Sequence, residues 1–172
     1  METRREYATD TPRPGHYEID PAGSTITFRT RHVFGLLPVR GSFAISAGTI
    51  DVVEPPAASR ARVEIDAASF TSPSAARDKV VRSARFLDAD RHPTISFAAD
   101  RLDRDMPTGT LTVRGVARAV PVSIVAIDVL PRAFSVRATA RVDRTAFGVT
   151  ASRGMAGRHL DLVVEITCAQ IR

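Results

Sequence analysis

The sequence predicts an all-β fold: a lipocalin-like antiparallel barrel of about eight strands with one short α-helix between strands. Three observations lead there. Apolar and polar residues alternate with period two through most of the chain, as they do along half-buried strands. Prolines, glycines and short polar runs punctuate that alternation at hairpin spacing. A single charged, helix-patterned stretch between Thr71 and Phe97 interrupts it. Strands of this number in up-and-down order close most naturally into a barrel, which removes exposed edges and leaves room for one small ligand.

Residues 1–14 are polar and charged and end in Thr-Pro-Arg-Pro-Gly, which predicts a disordered leader ahead of a barrel domain over 15–172. The fold is expected to begin near Tyr17. From Ser24 onward, Ile26, Phe28, Thr30 and His32 share one face of a strand, and Thr25, Thr27, Arg29 and Arg31 share the outer one. After a turn around Gly35 to Pro38, Val39, Gly41, Phe43 and Ile45 line one face of the next strand, and a turn at Gly48 leads into Ile50 and Val52. Pro55-Pro56 breaks the pattern, and Arg62-Val63-Glu64-Ile65-Asp66 resumes it.

Ser74 has the chemistry of an N-cap for a helix from Ala75 to Arg85. Ala76, Val80, Val81 and Ala84 recur there at helical spacing opposite Arg77, Asp78, Arg82 and Arg85. So short a helix needs packing to hold it. His92-Pro93 opens a strand with Ile95 and Phe97 on one face, and Pro107 to Arg114 forms another with Leu111 and Val113. Gly115 permits a turn or bulge. The remaining strand runs are 116–128, 133–143 and 159–169, the last with Leu160, Leu162, Val164, Ile166 and Cys168 on one side.

Composition narrows the function classes. The net charge is +5, and Lys79 is the only lysine. The basic residues are scattered, Trp is absent and Tyr7 and Tyr17 are the only tyrosines, so there is little on which a nucleic acid could stack and none is expected as a partner. A transient attraction to an anionic membrane surface is compatible with the charge. Cys168 is the single cysteine, so no intrachain disulfide forms and no oxidising compartment is required. The first residues lack the apolar core of a secretion signal and no run has membrane length, which predicts a soluble cytoplasmic protein.

The residues in order and spacing resemble the YceI-like family, soluble lipocalin-like barrels associated with polyisoprenoid binding. The resemblance runs from Tyr17 to Ala169. It is carried by Tyr17-Glu-Ile-Asp20-Pro21 with Ser24, Phe28 and His32; by Val39-Arg-Gly41-Ser-Phe43; and by Thr71, Arg77-Asp78, Arg82-Ser83, Phe86 and Asp88. Pro93-Thr-Ile-Ser-Phe97, Gly109-Thr-Leu111-Thr-Val-Arg-Gly115-Val and Asp143-Arg144-Thr-Ala-Phe147-Gly148 complete it. Two features depart from the family: no secretion signal, although many relatives are exported, and Lys79-Val80-Val81 where a histidine and leucine often follow the Arg-Asp pair. The resemblance implies an apolar interior that holds an isoprenoid tail of quinone or polyprenyl type, and a chain that pairs into a homodimer as relatives commonly do.

The candidate ligand-binding residues follow. Phe28, Phe43, Ile95, Phe97, Leu111, Val113, Val136, Leu162 and Val164 face inward and would line a lipid tunnel, together with Ile26, Val39, Val122 and Ile124. Periodicity alone favours a filled core, because small barrels usually pack their interior, and it is the family resemblance that favours the tunnel. His32 shares the face of Phe28, where its imidazole would hydrogen-bond a head group or simply sit satisfied in the core. Arg77 and Asp78 would orient a head group at the mouth, or join Arg82 and Arg144 in an Arg–carboxylate network that pins the helix. Phe86 and Phe147 are expected as buried anchors, and Gly148 as a position of positive φ.

The histidines have no metal-ligand spacing, so no metal site is expected. Neither a nucleophile elbow nor a phosphate-cradling loop occurs, and no catalytic residue or cofactor beyond a bound polyisoprenoid is assigned. The leading reading is therefore a non-enzymatic lipid carrier or store. The alternatives are a stress-response or interaction module with a filled barrel, and an enzyme using His32 and Arg77 on an isoprenoid or quinone.

Overall fold

The computed structural model describes residues 11–32, 36–103, 106–152 and 156–171, the His32 side chain excepted. Among them are eleven strands and one α-helix. In chain order these are β1 (Gly15–Ile19), β2 (Thr25–His32), β3 (Leu37–Phe43), β4 (Ile45–Val52), β5 (Arg60–Asp66), α1 (Ala75–Arg82), β6 (Thr94–Ala99) and β7 (Thr108–Val113). β8 (Val116–Pro121), β9 (Ser123–Leu130), β10 (Ala133–Asp143) and β11 (His159–Gln170) complete the chain.

These strands make about eight antiparallel passes, as the turn spacing predicts. β1 and β2 are two halves of one pass: both pair with β11, and they are separated by the Asp20–Ser24 turn. β3 and β4 are likewise one pass, pairing with β2 and β1 respectively and parting at Ala44. β8 and β9 form a third divided pass. β8 pairs with β7, the Val122 N–H donates to the Pro107 carbonyl at 2.8 Å, and β9 then crosses to pair with β10. The ladder thus returns on itself as a barrel, with a seam where β9 has left β7. Among the described residues the edge of β9 away from β10 carries no partner strand.

Alternation decides which side of each strand faces in. β5 shows it most clearly: Ala61, Val63 and Ile65 are buried, whereas Arg60, Arg62, Glu64 and Asp66 are exposed. The core gathers Phe28, Ile45, Ile95, Phe134 and Cys168 from five different strands. Arg114 and Gly115, with φ of 52° and 75°, make the two-residue β7–β8 turn, and both positive values suit a tight hairpin.

Three local expectations are corrected. The turn at Gly48 is absent, because β4 runs through it; a Cβ there would press on the Ile19 side chain and lie 2.7 Å from the Arg62 carbonyl oxygen. The glycine therefore permits close backbone approach instead of a reversal. The helix stops at Arg82, three residues early. The Ser83 N–H and hydroxyl both turn back to the Val80 carbonyl, and the Leu87 and Asp88 amides bond to Val81 and Ser83, so Ala84 and Arg85 lie in a turn. The strand expected over 116–128 is divided at Val122 and extends to Leu130. The Ser74 N-cap is present, its hydroxyl accepting from the Arg77 N–H. Gly148 has φ 75° and closes a 3-10 turn after buried Phe147. Residues 1–10 of the expected leader lie outside the described residues. Further along that leader Pro12 is buried and the Arg13 carbonyl accepts from the Tyr17 hydroxyl at 2.8 Å.

Candidate functional site

The barrel encloses a cavity of about 1480 Å³. Its wall comes from the inward residues of successive strands: Ile26, Phe28 and Thr30 of β2, Val39 and Phe43 of β3, Val63 and Ile65 of β5, and Ile95 and Phe97 of β6. Leu111 and Val113 of β7, Val136 and Ala138 of β10, and Leu162 and Val164 of β11 continue it. The twelve residues of β11 span about 40 Å of strand. At a tilt of about 40° that gives a barrel roughly 30 Å along its axis. Tyr17, Ile19 and Cys168 are buried but do not border the cavity.

Of the residues singled out from the sequence, Phe28, Phe43, Ile95, Phe97, Leu111, Val113, Val136, Leu162, Val164 and Arg77 border this space, as do Ile26, Val39, Val122 and Ile124. Asp78 does not. Its carboxylate accepts from the Ser72 hydroxyl at 2.6 Å and the Ser72 N–H at 2.9 Å, which holds the loop ahead of α1. Burial works against its charged form, but the two Ser72 hydrogen bonds and the nearby Arg82 and Arg77 guanidinium groups hold the carboxyl below its ordinary value. The expectation for the His32 side chain lies outside the described residues.

The cavity has two ends. One lies beneath α1, where Ala76, Arg77, Val80 and Val81 border it with Ser152, Ala156 and Gly157. Val80 is 41% exposed and also borders the cavity, which marks a mouth here. Inside this mouth Phe28 stacks on Phe70 at 5.1 Å, with Phe43 at 5.9 Å from Phe28 and 5.4 Å from Phe70. The other end is bordered by Thr11, Pro12, Pro55, Leu102 and Pro107, and by β9. Ile127 pairs with inward Val136 yet is 45% exposed, because the interior reaches solvent along the seam.

The arginines at the α1 end bond mainly to the backbone, where the sequence suggested carboxylate partners. Arg82 donates from Nε and Nη2 to the Phe70 carbonyl. Buried Arg144 donates to the carbonyls of Gly157 at 2.7 Å, Val149 at 2.8 Å and Ala156 at 3.2 Å, and lies 5.5 Å from the centre of the Phe86 ring. It is a structural clamp that ties the turn after β10 to the start of β11, and it presents a cationic group to the cavity margin. Carbonyl clamping leaves no pattern in a sequence.

Asp103 and Asp128 border the end of this space opposite α1, whereas Asp143 and Cys168 stand outside it. Hydrogen bonds from Arg158 and Thr145 hold the Asp143 carboxyl well below the usual carboxylate range. Burial pushes the Cys168 thiol up to about 12, and its Sγ lies 3.4 Å from the Phe134 carbonyl oxygen. Among the described residues no three His, Cys, Asp or Glu side chains converge as a metal-ligand set. Phe70, Ile50, Ala138 and Ile166 also border the cavity and were not singled out from the sequence. Inward parity on their strands would have found Ile50, Ala138 and Ile166; Phe70 lies in a connection, where period two has no meaning.

The arrangement can shelter a long hydrocarbon with a polar group at one mouth. The family model described as YceI-like domain matches residues 17–168. Protein YceI of Shigella flexneri is 28% identical over 166 residues, covering 90% of this chain and 86% of its own. BcnA of Burkholderia cenocepacia has the same fold, with a TM-score of 0.74 at 20% identity over 87% of this chain and 98% of that one. So does a polyisoprenoid binding domain from Saccharophagus degradans implicated in plant cell wall breakdown, with a TM-score of 0.67 at 10% identity over 90% and 98%.

Proposed function

The chain belongs to the YceI-like domain family, and from that premise we propose that it is a non-enzymatic binder that stores or carries a long-chain polyisoprenoid lipid of quinone or polyprenyl type. The observation that carries this reading is the cavity. At about 1480 Å³ it exceeds the roughly 300–1,000 Å³ typical of small-molecule pockets. Its wall is mostly branched aliphatic and aromatic, and it runs from the α1 mouth to the opposite end. Such a space suits a long, branched hydrocarbon and offers little to a compact polar ligand.

The energetics point the same way. Each square ångström of apolar surface removed from water stabilises the complex by about 25 cal/mol. Part of that gain offsets the lost freedom of the ligand. A tail of several isoprenoid units therefore binds without any polar contact, and Arg77 and Ser152 at the mouth stand where a head group would emerge. The description of the Saccharophagus degradans domain as polyisoprenoid binding supports the ligand class.

Protein purified from its own host, analysed by native mass spectrometry and organic extraction, is expected to carry one polyprenyl-type lipid per chain. Repeated recovery of empty protein that also fails to take up an added polyprenol removes the proposal.

A further inference from the structure

The α1 end of the barrel carries an exposed surface that cargo binding does not use. At the start of β3, Leu36 is 76% exposed and Leu37 52% exposed, and Val80 at the cavity mouth is 41% exposed. Behind Leu37, Arg29 of β2 lies directly across from Arg40 of β3, both on the outer wall. Like charges opposed in this way destabilise a ladder.

Several arginines elsewhere on the surface are matched: Arg62 with Asp100, Arg137 with Glu165, Arg158 with Asp143. Asp161, across from Arg29 on β11, lies 3.9 Å from Arg141. Among the described residues no carboxylate comes within ion-pairing distance of Arg29, Arg40 or Lys79. Residues 21–50 contain no acidic side chain at all. An apolar tip backed by unmatched cations is complementary to one kind of surface, where hydrocarbon lies beneath a layer of negative charge.

We propose that the α1 end docks on the anionic surface of a lipid bilayer, with Leu36, Leu37 and Val80 entering the interfacial layer and Arg29, Arg40 and Lys79 meeting the lipid phosphates. The cavity mouth then opens onto the phase in which an apolar cargo resides. About 10 Å of strand separates Leu37 from Arg40. That matches the roughly 8–10 Å over which a charged surface is felt at physiological salt. The biological purpose rests on the cargo reading above; the docking does not.

The test uses lipid-free protein and vesicles without isoprenoid, either phosphatidylcholine alone or phosphatidylcholine mixed with phosphatidylglycerol, in a flotation assay. Binding is expected only to the anionic vesicles and weakens as salt is added. Arg29→Gln and Arg40→Gln should each lower the affinity about fivefold. Leu36→Ser with Leu37→Ser should lower it further, while melting temperatures stay unchanged because these side chains are exposed. Arg60→Gln with Arg132→Gln, at the opposite end, should leave binding within about twofold. No binding, equal binding to both vesicles, or an equal loss in the opposite-end variant overturns the proposal. Uptake of detergent-delivered polyprenol is measured in parallel: a barrel that docks but never fills supports the docking and overturns the cargo reading alone.

Discussion

Ala138→Phe separates a hollow barrel from a filled one. Ala138 lies at the middle of β10, opposite Val164 of β11 and Ile124 of β9, and it borders the cavity. In a packed interior a substitution this large forces neighbours off their rotamers and costs about 1–3 kcal/mol. Here a benzene-sized ring needs about 150 Å³, about a tenth of the 1480 Å³ available. The added ring gains wall contact and displaces nothing, so the stability of lipid-free protein should change by less than about 1 kcal/mol. Urea unfolding followed by linear extrapolation reads that difference. The cargo then provides the second half of the test. Polyprenol at a hundred times its dissociation constant should stabilise the unsubstituted protein by about 2.7 kcal/mol, and the obstructed variant by much less. A loss of about 3 kcal/mol without lipid, or full ligand stabilisation in the variant, refutes the hollow-barrel argument.

Two further predictions concern the frame of the site. Gly148→Ala adds a Cβ that meets no atom within 4 Å at a φ of 75°, so its cost is purely conformational, about 1 kcal/mol; an unchanged urea midpoint would show that the turn does not need this backbone. Asp143 has a folded pKa below its unfolded value of about 3.9, so its contribution is complete above that value and fades as pH falls through the folded one. The stability gap between the unsubstituted protein and Asp143→Asn should therefore narrow below about pH 4, and a gap that stays constant on acidification counts against the Arg158 and Thr145 bonds as its source.

Period-two alternation made the barrel legible because the inward positions on β5 and β10, and from Leu160 to Cys168 on β11, are filled by apolar side chains and the outward ones are mostly polar. It identified the wall of the cavity through Phe28, Phe97 and Leu162 for the same reason. It did not distinguish a hollow interior from a packed one, since Val136 alternates identically in either case and only the girth of the closed sheet decides. Nor did it reveal where a strand changes neighbours. Val122 looks like any residue in a continuous run, and its exchange of β7 for β10 depends on how the barrel closes. The partners of Arg144 were hidden because they are backbone carbonyls, which every residue possesses. The motif residues from Tyr17 to Gly148 pointed to the family that the comparison supports.

The kinked pass formed by β8 and β9 has a mechanical consequence. A hoop fastened by one bent stave has give in its circumference. Spreading it at that join breaks no ladder hydrogen bond, because β8 keeps its bonds to β7 and β9 keeps its bonds to β10. Every other pass would have to surrender paired backbone groups to move apart. Swelling around a thicker guest and shrinking around a slimmer one are thereby confined to a single line, while the remaining staves stay rigid.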